Sequence, residues 1–178
     1  MSWYRRLNIK GGIYFLTVVL QDRKSDYLLR YIAEFRQAYT ETQKNAPFET
    51  IAICILPNHF HLLMKLPDGD EDFSKRIRLL KINFNKRIPL GACTLSYSYN
   101  QQKRRELGIW QRRFWEHLIR DEKDLANHID YIYYNPVKHG YVKQVKDWKF
   151  SSFHRDVKKG IYHQNWGGNP TLIIKGEA

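Results

Sequence analysis

The sequence predicts an α+β fold, an antiparallel sheet with helices packed on it, and three observations predict it. Short β-branched and aromatic runs such as IYFLTVVL (13–20) and HFHLLMKL (59–66) have strand length and a period of two. Between them lie longer segments whose apolar residues recur every three or four positions, the period of a helix. The two kinds alternate as β-α-β-β-α-β with one further helix behind, the order of a ferredoxin-like (RRM-like) sheet, in which the first and third strands are central.

Each element has its own signal. Gly11-Gly12 introduces the first strand. Leu28, Ile32, Phe35 and Tyr39 are spaced 4, 3 and 4, which predicts a helix over about 26–45. FETIAICIL (48–56) is apolar on both faces, as a covered central strand would be, and Pro57-Asn58 turns it into the third strand. Asp70-Glu71-Asp72 places carboxylates at the positive end of a second helix, with the stripe Phe73, Ile77, Leu80, Phe84 and Ile88 on one face and Lys75, Arg78, Lys86 and Arg87 on the other. Residues 89–108 have no period and read as a loop; IWQRRFWEHLIR (109–120) reads as a fourth strand. Asp121 caps a third helix, which Pro136 is expected to end. Its apolar stripe is Leu125, Ile129 and Ile132. The remainder is polar and aromatic, with mixed signals.

Composition bounds the chemistry. The chain has 178 residues, with 30 Lys+Arg against 18 Asp+Glu, a net charge of +12 and a pI near 9.7. Such an excess favours a polyanionic partner, of which nucleic acid is the commonest. The longest apolar stretch, 13–20, is far too short to span a membrane, and the N-terminus carries no apolar leader. Cys54 and Cys93 form no CxxC pair, which argues against a disulfide framework or a zinc knuckle and for a reducing cytoplasm.

The chemistry-bearing residues fall in two places. In LPNHFHLLMKLP (56–67), period two puts Phe60, Leu62, Met64 and Leu66 on one strand face and His59, His61, Leu63 and Lys65 on the other. The two imidazoles then point the same way about 6.5–7 Å apart, close enough to share one metal ion. On the third helix Tyr131 and Asn135 are four apart and share one flank of the stripe with His128, while Tyr134 should face solvent and Tyr133 the opposite flank. With that helix on the open face of the sheet, Tyr131 and Asn135 are the pair that can reach a metal on His59 and His61. His128, Tyr133 and Tyr134 are expected to pack or bond locally. A third cluster interleaves cations with aromatic rings: Tyr4, Arg5 and Arg6, with Trp110, Arg112, Arg113 and Trp115, a pattern suited to stacking on unpaired bases and neutralising phosphates.

LPNHFHLLM, WQRRFWEH and DYIYYNPVKHG, with the N-terminal WYRR, GGIYFLTV and the tail DWKFSSFHRDV, resemble the HUH single-tyrosine transposases. The nearest branch is the REP-associated tyrosine transposases, and the likeness covers about residues 2 to 166. The resemblance implies a transposase domain over 1–145, with residues 146–178 as a tail packing on or extending from it. It implies a divalent metal on His59 and His61, Asn135 as third protein ligand, and Tyr131, the first tyrosine after Asp130, as the nucleophile on the third helix. Two imidazoles and an amide oxygen would accept Mg²⁺ or Mn²⁺, with Mn²⁺ better matched to nitrogen. The implied reaction is cleavage and rejoining of single-stranded or hairpin DNA through a 5′-phosphotyrosine. A monomer acting in cis is favoured, with a homodimer as the alternative. Two other readings compete: a nuclease in which metal-activated water attacks, and a catalytically idle hairpin-binding module. Barrel-type hydrolases are excluded, since that fold needs about 250 residues.

Overall fold

The sheet has four antiparallel strands in the order β2-β3-β1-β4: β1 (Ile13–Val19), β2 (Glu49–Ile55), β3 (His59–Lys65) and β4 (Trp115–Leu118). The computed structural model describes residues 7–89 and 108–167. Tyr4, Arg5, Arg6, Cys93 and most of the expected 89–108 loop therefore lie outside the described residues. No helix among the described residues is long and apolar enough to cross a membrane.

Strand periodicity divides the interior into two layers. Tyr14, Leu16 and Val18 of β1 and Phe60, Leu62 and Met64 of β3 pack against α2 (Ile32–Asn45) and α3 (Phe73–Asn85), whose Phe35, Ala38, Ile77, Leu80 and Phe84 are buried. Phe15, Ala52, Cys54 and Leu63 point the other way, under α4 (Glu122–Lys138) and the C-terminal segment. Each fully buried Phe or Leu contributes about 1.5–3 kcal/mol, so truncating Leu62, whose side chain sits mid-core on a central strand, should cost about 2–5 kcal/mol. Asp72 caps α3 by accepting from Lys75 N–H at 2.8 Å, and Asp121 caps α4 by accepting from Asp124 N–H at 2.8 Å, as their positions before each stripe predict.

Several elements depart from the sequence reading. The expected 26–45 helix is broken at Tyr31 into α1 (Tyr27–Arg30) and α2, because the Leu28 N–H donates to Pro57 C=O at 3.1 Å and ties the first turn to the β2–β3 corner. β2 is an edge strand rather than a central one. Its apolar character arises because the C-terminal segment covers its outer face and edge. Ile53 N–H donates to Ser152 Oγ at 2.9 Å, Ile55 N–H to Phe150 C=O at 2.9 Å, and Trp148 Nε1 to Ile55 C=O at 3.1 Å, while the Arg155 guanidinium donates to the carbonyls of Thr50 and Ile51. These bonds occupy backbone groups that an open edge would offer to another chain. The mixed tail thus forms a 3₁₀ turn (Val145–Asp147) and α5 (Phe153–Lys158).

The fourth strand is shorter than expected. Thr17 pairs with Trp115, and Leu20 with Trp110, so between these pairs two residues of β1's side face four of β4's side, and two are extra. Arg112 and Arg113, both exposed, fall in this excess. The proline does not end α4, which runs through Pro136 to Lys138. Proline removes one N–H only, and His139 N–H still reaches Asn135 C=O at 3.0 Å. The buried side of α4 is also rotated from the expected stripe: Asp124, His128, Tyr131, Ile132, Tyr133 and Asn135 are buried, whereas Leu125 and Ile129 are half-buried. The helix lies between sheet and tail, so no single stripe carries its burial. Tyr134 is half-buried rather than facing solvent, for the same reason.

Candidate active site

The core of the site is the second layer, where β3 meets α4. Thr17 pairs with His61 across the β1–β3 ladder, and Thr17 Oγ1 lies 3.0 Å from His61 Nδ1, which fixes the ring and leaves Nε2 as the atom that can face a metal. His59 Nδ1 lies 2.6 Å from Asn58 Oδ1, and the two imidazole rings are 5.0 Å apart at 81°. Burial pushes the His59 imidazole down to about 2, helped by the His61, His139, Lys138 and Arg23 charges. Burial also pushes His61 down to about 3, with His139 and Lys138 acting in the same sense and the Asn135 amide opposing them. Both rings are therefore neutral at physiological pH, the state in which imidazole binds metal.

Asn135 is the decisive neighbour. Its side chain is fully buried, and neither the amide oxygen nor the nitrogen has a hydrogen-bond partner of ordinary geometry among the described residues. A buried amide left so costs about 1–3 kcal/mol, which a metal ligand bond at its oxygen would offset. Two neutral imidazoles and an amide oxygen suit a divalent ion with open positions, so the residues present fit the metal that the sequence implies.

Tyr131, one turn earlier, is 2% exposed, with its ring edge-on to His61 at 5.6 Å and to Phe15 at 5.9 Å. Its hydroxyl accepts from Lys138 Nζ at 3.0 Å, and the same ammonium lies 4.8 Å from the ring centroid. Burial holds the Lys138 amine below its ordinary range, but the nearby phenol is the group its charge serves. Lys138 was not among the sequence-predicted residues. Its signal was the i, i+7 spacing from Tyr131, two helical turns, which the expected stop at Pro136 concealed. His139 is a second unanticipated neighbour, its ring 5.4 Å from His59.

No family model matches the chain. A curated protein of Haemophilus influenzae, assigned as a REP-associated tyrosine transposase, is 63% identical over 177 residues, 99% of each chain. The Escherichia coli REP-associated tyrosine transposase is 47% identical, covering 99% of this chain and 98% of its own length. The chain belongs to the REP-associated tyrosine transposases. A solved structure of a REP-associated tyrosine transposase bound to a REP hairpin superposes with a TM-score of 0.84 at 45% identity, covering 100% of this chain and 98% of that one.

Within this transposase fold the remaining sequence-predicted residues are placed unevenly. Trp110 sits in the helix-side core, 8% exposed, against Phe60 and Phe84, with Nε1 donating to Asn85 Oδ1 at 2.9 Å. The ring has no surface on which a base could stack, a correction to its expected DNA contact: the Leu20 bridge turns it inward. Arg112 and Arg113 remain exposed. A second titratable group lies farther along α4. Asp124 carboxylate oxygens lie 2.8 Å from His117 Nε2 and 3.1 Å from His128 Nδ1, and Asp124 also accepts from Arg120 N–H at 3.0 Å. The three side chains have metal-ligand composition. The carboxylate is bonded to His117, and His128 Nδ1 lies 2.8 Å from the Asp124 backbone carbonyl, so the cluster closes on itself. His117 and Asp124 lie unmarked in the sequence because positions i−11 and i−4 from His128 look like ordinary polar positions.

Proposed function

We propose that this chain is a metal-dependent single-strand DNA endonuclease and strand-transfer enzyme that acts on REP-like hairpins through Tyr131. The single observation that carries the reading is the buried Asn135 amide, one turn from Tyr131 and facing the neutral His61, with no hydrogen-bond partner of ordinary geometry among the described residues. An idle binding module has no use for such a group.

In this mechanism His59, His61 and Asn135 hold Mg²⁺ or Mn²⁺, which when bound polarises the scissile phosphate and stabilises the charge that develops on it. The Lys138 ammonium stabilises Tyr131 as the phenolate. Tyr131 gives its hydroxyl proton to solvent, the phenolate oxygen attacks phosphorus, the bond to the 3′ oxygen breaks, and that oxygen takes a proton from solvent as it leaves. The products are a 5′-phosphotyrosine and a free 3′-OH. A second 3′-OH attacks the same phosphorus and expels Tyr131, so the bond energy is conserved and no nucleotide cofactor is needed. Cis action is supported by the 5.6 Å between Tyr131 and His61 of the same chain, and we take the monomer as the working unit. Residues 1–145 form the catalytic unit in this reading, and 146–178 the tail, whose described part, up to residue 167, packs on it. The +12 charge suits a DNA ligand in the cytoplasm. REP-hairpin specificity is carried over from the solved relative. Arg112 and Arg113 neutralise phosphates, and Tyr4, Arg5 and Arg6 contact the unpaired bases that flank the hairpin.

The test is incubation with a REP-type hairpin bearing single-stranded flanks and Mn²⁺, resolved on a denaturing gel. A covalent adduct lost in Tyr131→Phe and in EDTA supports the proposal. Cleavage by Tyr131→Phe at the normal rate would replace it with attack by water.

A further inference from the structure

The register places Trp115 in the same cross-strand row as the site. Cys54 pairs with His61, His61 with Thr17 and Thr17 with Trp115, so these side chains share one face of the sheet. Two strand spacings separate Trp115 from His61, about 10 Å. The indole is 37% exposed, one of few large apolar side chains so placed among the described residues.

Its orientation is fixed from behind. The His117 ring lies parallel to it, 6.0 Å away at 6°, and His128 continues the pile 4.6 Å from His117 at 16°. Phe15 meets the indole edge-on at 5.5 Å and 71°. Asp124 bonds His117 through its carboxylate and His128 through its backbone carbonyl, and so holds the inner ring of β4 and that of α4 at once. The result is a stack of three aromatic rings whose outer member is open to solvent. Exposed Arg112, Arg113 and Arg120 flank it in sequence.

We propose that Trp115 is the stacking platform for an unpaired nucleobase of the strand held at the active site, a fourth ring on this pile. The proposal rests on the reading of that site as one for single-stranded DNA. A nucleobase is favoured over a protein partner because one indole among cations covers far less than the roughly 800 Å² per side of a stable protein interface, whereas every base presents a π-face to it. Its distance from His61 suits a base near the scissile phosphate rather than one inside the paired hairpin.

The experiment uses the full chain as Tyr131→Phe, so that cleavage plays no part, with hairpins that carry 2-aminopurine at successive positions of the unpaired flank. One position should be quenched on binding, and Trp115→Leu should abolish that quench. Leu keeps an apolar contact with Phe15 and removes the stacking surface. Affinity for the flanked hairpin should fall roughly tenfold in Trp115→Leu, within a span of about 5- to 150-fold, and should recover in Trp115→Phe. Affinity for the hairpin without flanks should be unchanged. An equal loss on flanked and unflanked hairpins overturns the proposal, as does quenching that survives Trp115→Leu or is absent throughout. Failure of the tyrosine mechanism would appear instead as cleavage by Tyr131→Phe, with the quench intact.

Discussion

Replacing Lys138 with Met should slow adduct formation while leaving hairpin binding almost untouched. The side chains are similar in length, so the change removes a charge and a donor rather than bulk. The ammonium lies 3.0 Å from the Tyr131 hydroxyl. A hydrogen bond to a charged group contributes about 1.5–3 kcal/mol, and the exposure of Lys138 argues for the lower part of that range. Taking about 1–2 kcal/mol for the phenolate over the phenol, the rate constant should fall roughly 5- to 30-fold at fixed pH. Binding loses one cation from a chain of net charge +12, a small change. The assay is single-turnover formation of the covalent adduct at saturating hairpin and Mn²⁺, with Kd measured separately by anisotropy. Lys138→Gln, which keeps a donor without the charge, should fall between the two. An unchanged single-turnover rate in Lys138→Met would refute the reasoning, and so would a loss that extra DNA restores.

Three other outcomes follow from the same geometry. Asn135→Ala should abolish cleavage and weaken Mn²⁺ binding while leaving the melting temperature unchanged or slightly raised, because the buried amide loses no hydrogen bond of ordinary geometry; differential scanning fluorimetry with and without Mn²⁺ checks both. Tyr133→Phe should keep its cleavage chemistry but lose about 1–3 kcal/mol in urea unfolding, because the Tyr133 hydroxyl donates to the buried Asp156 carboxylate. Burial disfavours the Asp124 carboxylate, but hydrogen bonds from His117 and the Arg120 N–H outweigh it and hold the group below its ordinary 3.8. Its contribution is therefore full above that value and is lost as pH falls through the lower folded one. Unfolding midpoints should drop as pH falls below about 4, and Asp124→Asn should flatten the drop.

Much of the site could be read from local order, because it depends on spacing within single elements. His59 and His61 are two apart on a strand, and Tyr131 and Asn135 four apart on a helix, so each pair shares a face whatever the rest of the chain does. The acidic caps of α3 and α4 are equally local, a carboxylate reaching an N–H three residues on. The alternation of strand and helix periods was enough to order the sheet with β1 and β3 at its centre.

Tertiary structure decided whatever depends on two segments meeting. FETIAICIL reads as central, yet β2 is an edge, since covering by a tail about a hundred residues later produces the same apolar pattern as flanking strands. Trp110 and Trp115 are five apart, so strand alternation puts them on opposite faces; only the fold decides that the Trp110 face is the helix-covered core, while Trp115 on the other face stays 37% exposed. The His117–Asp124–His128 clasp is hidden for the same reason, since β4 must meet α4, whereas Lys138 shares a helix with Tyr131 and is hidden by the expected stop at Pro136. Periodicity reports which residues share a face of their own element. Which partner that face meets, and where a helix stops once packing outweighs one missing N–H, is set by burial summed over the whole fold.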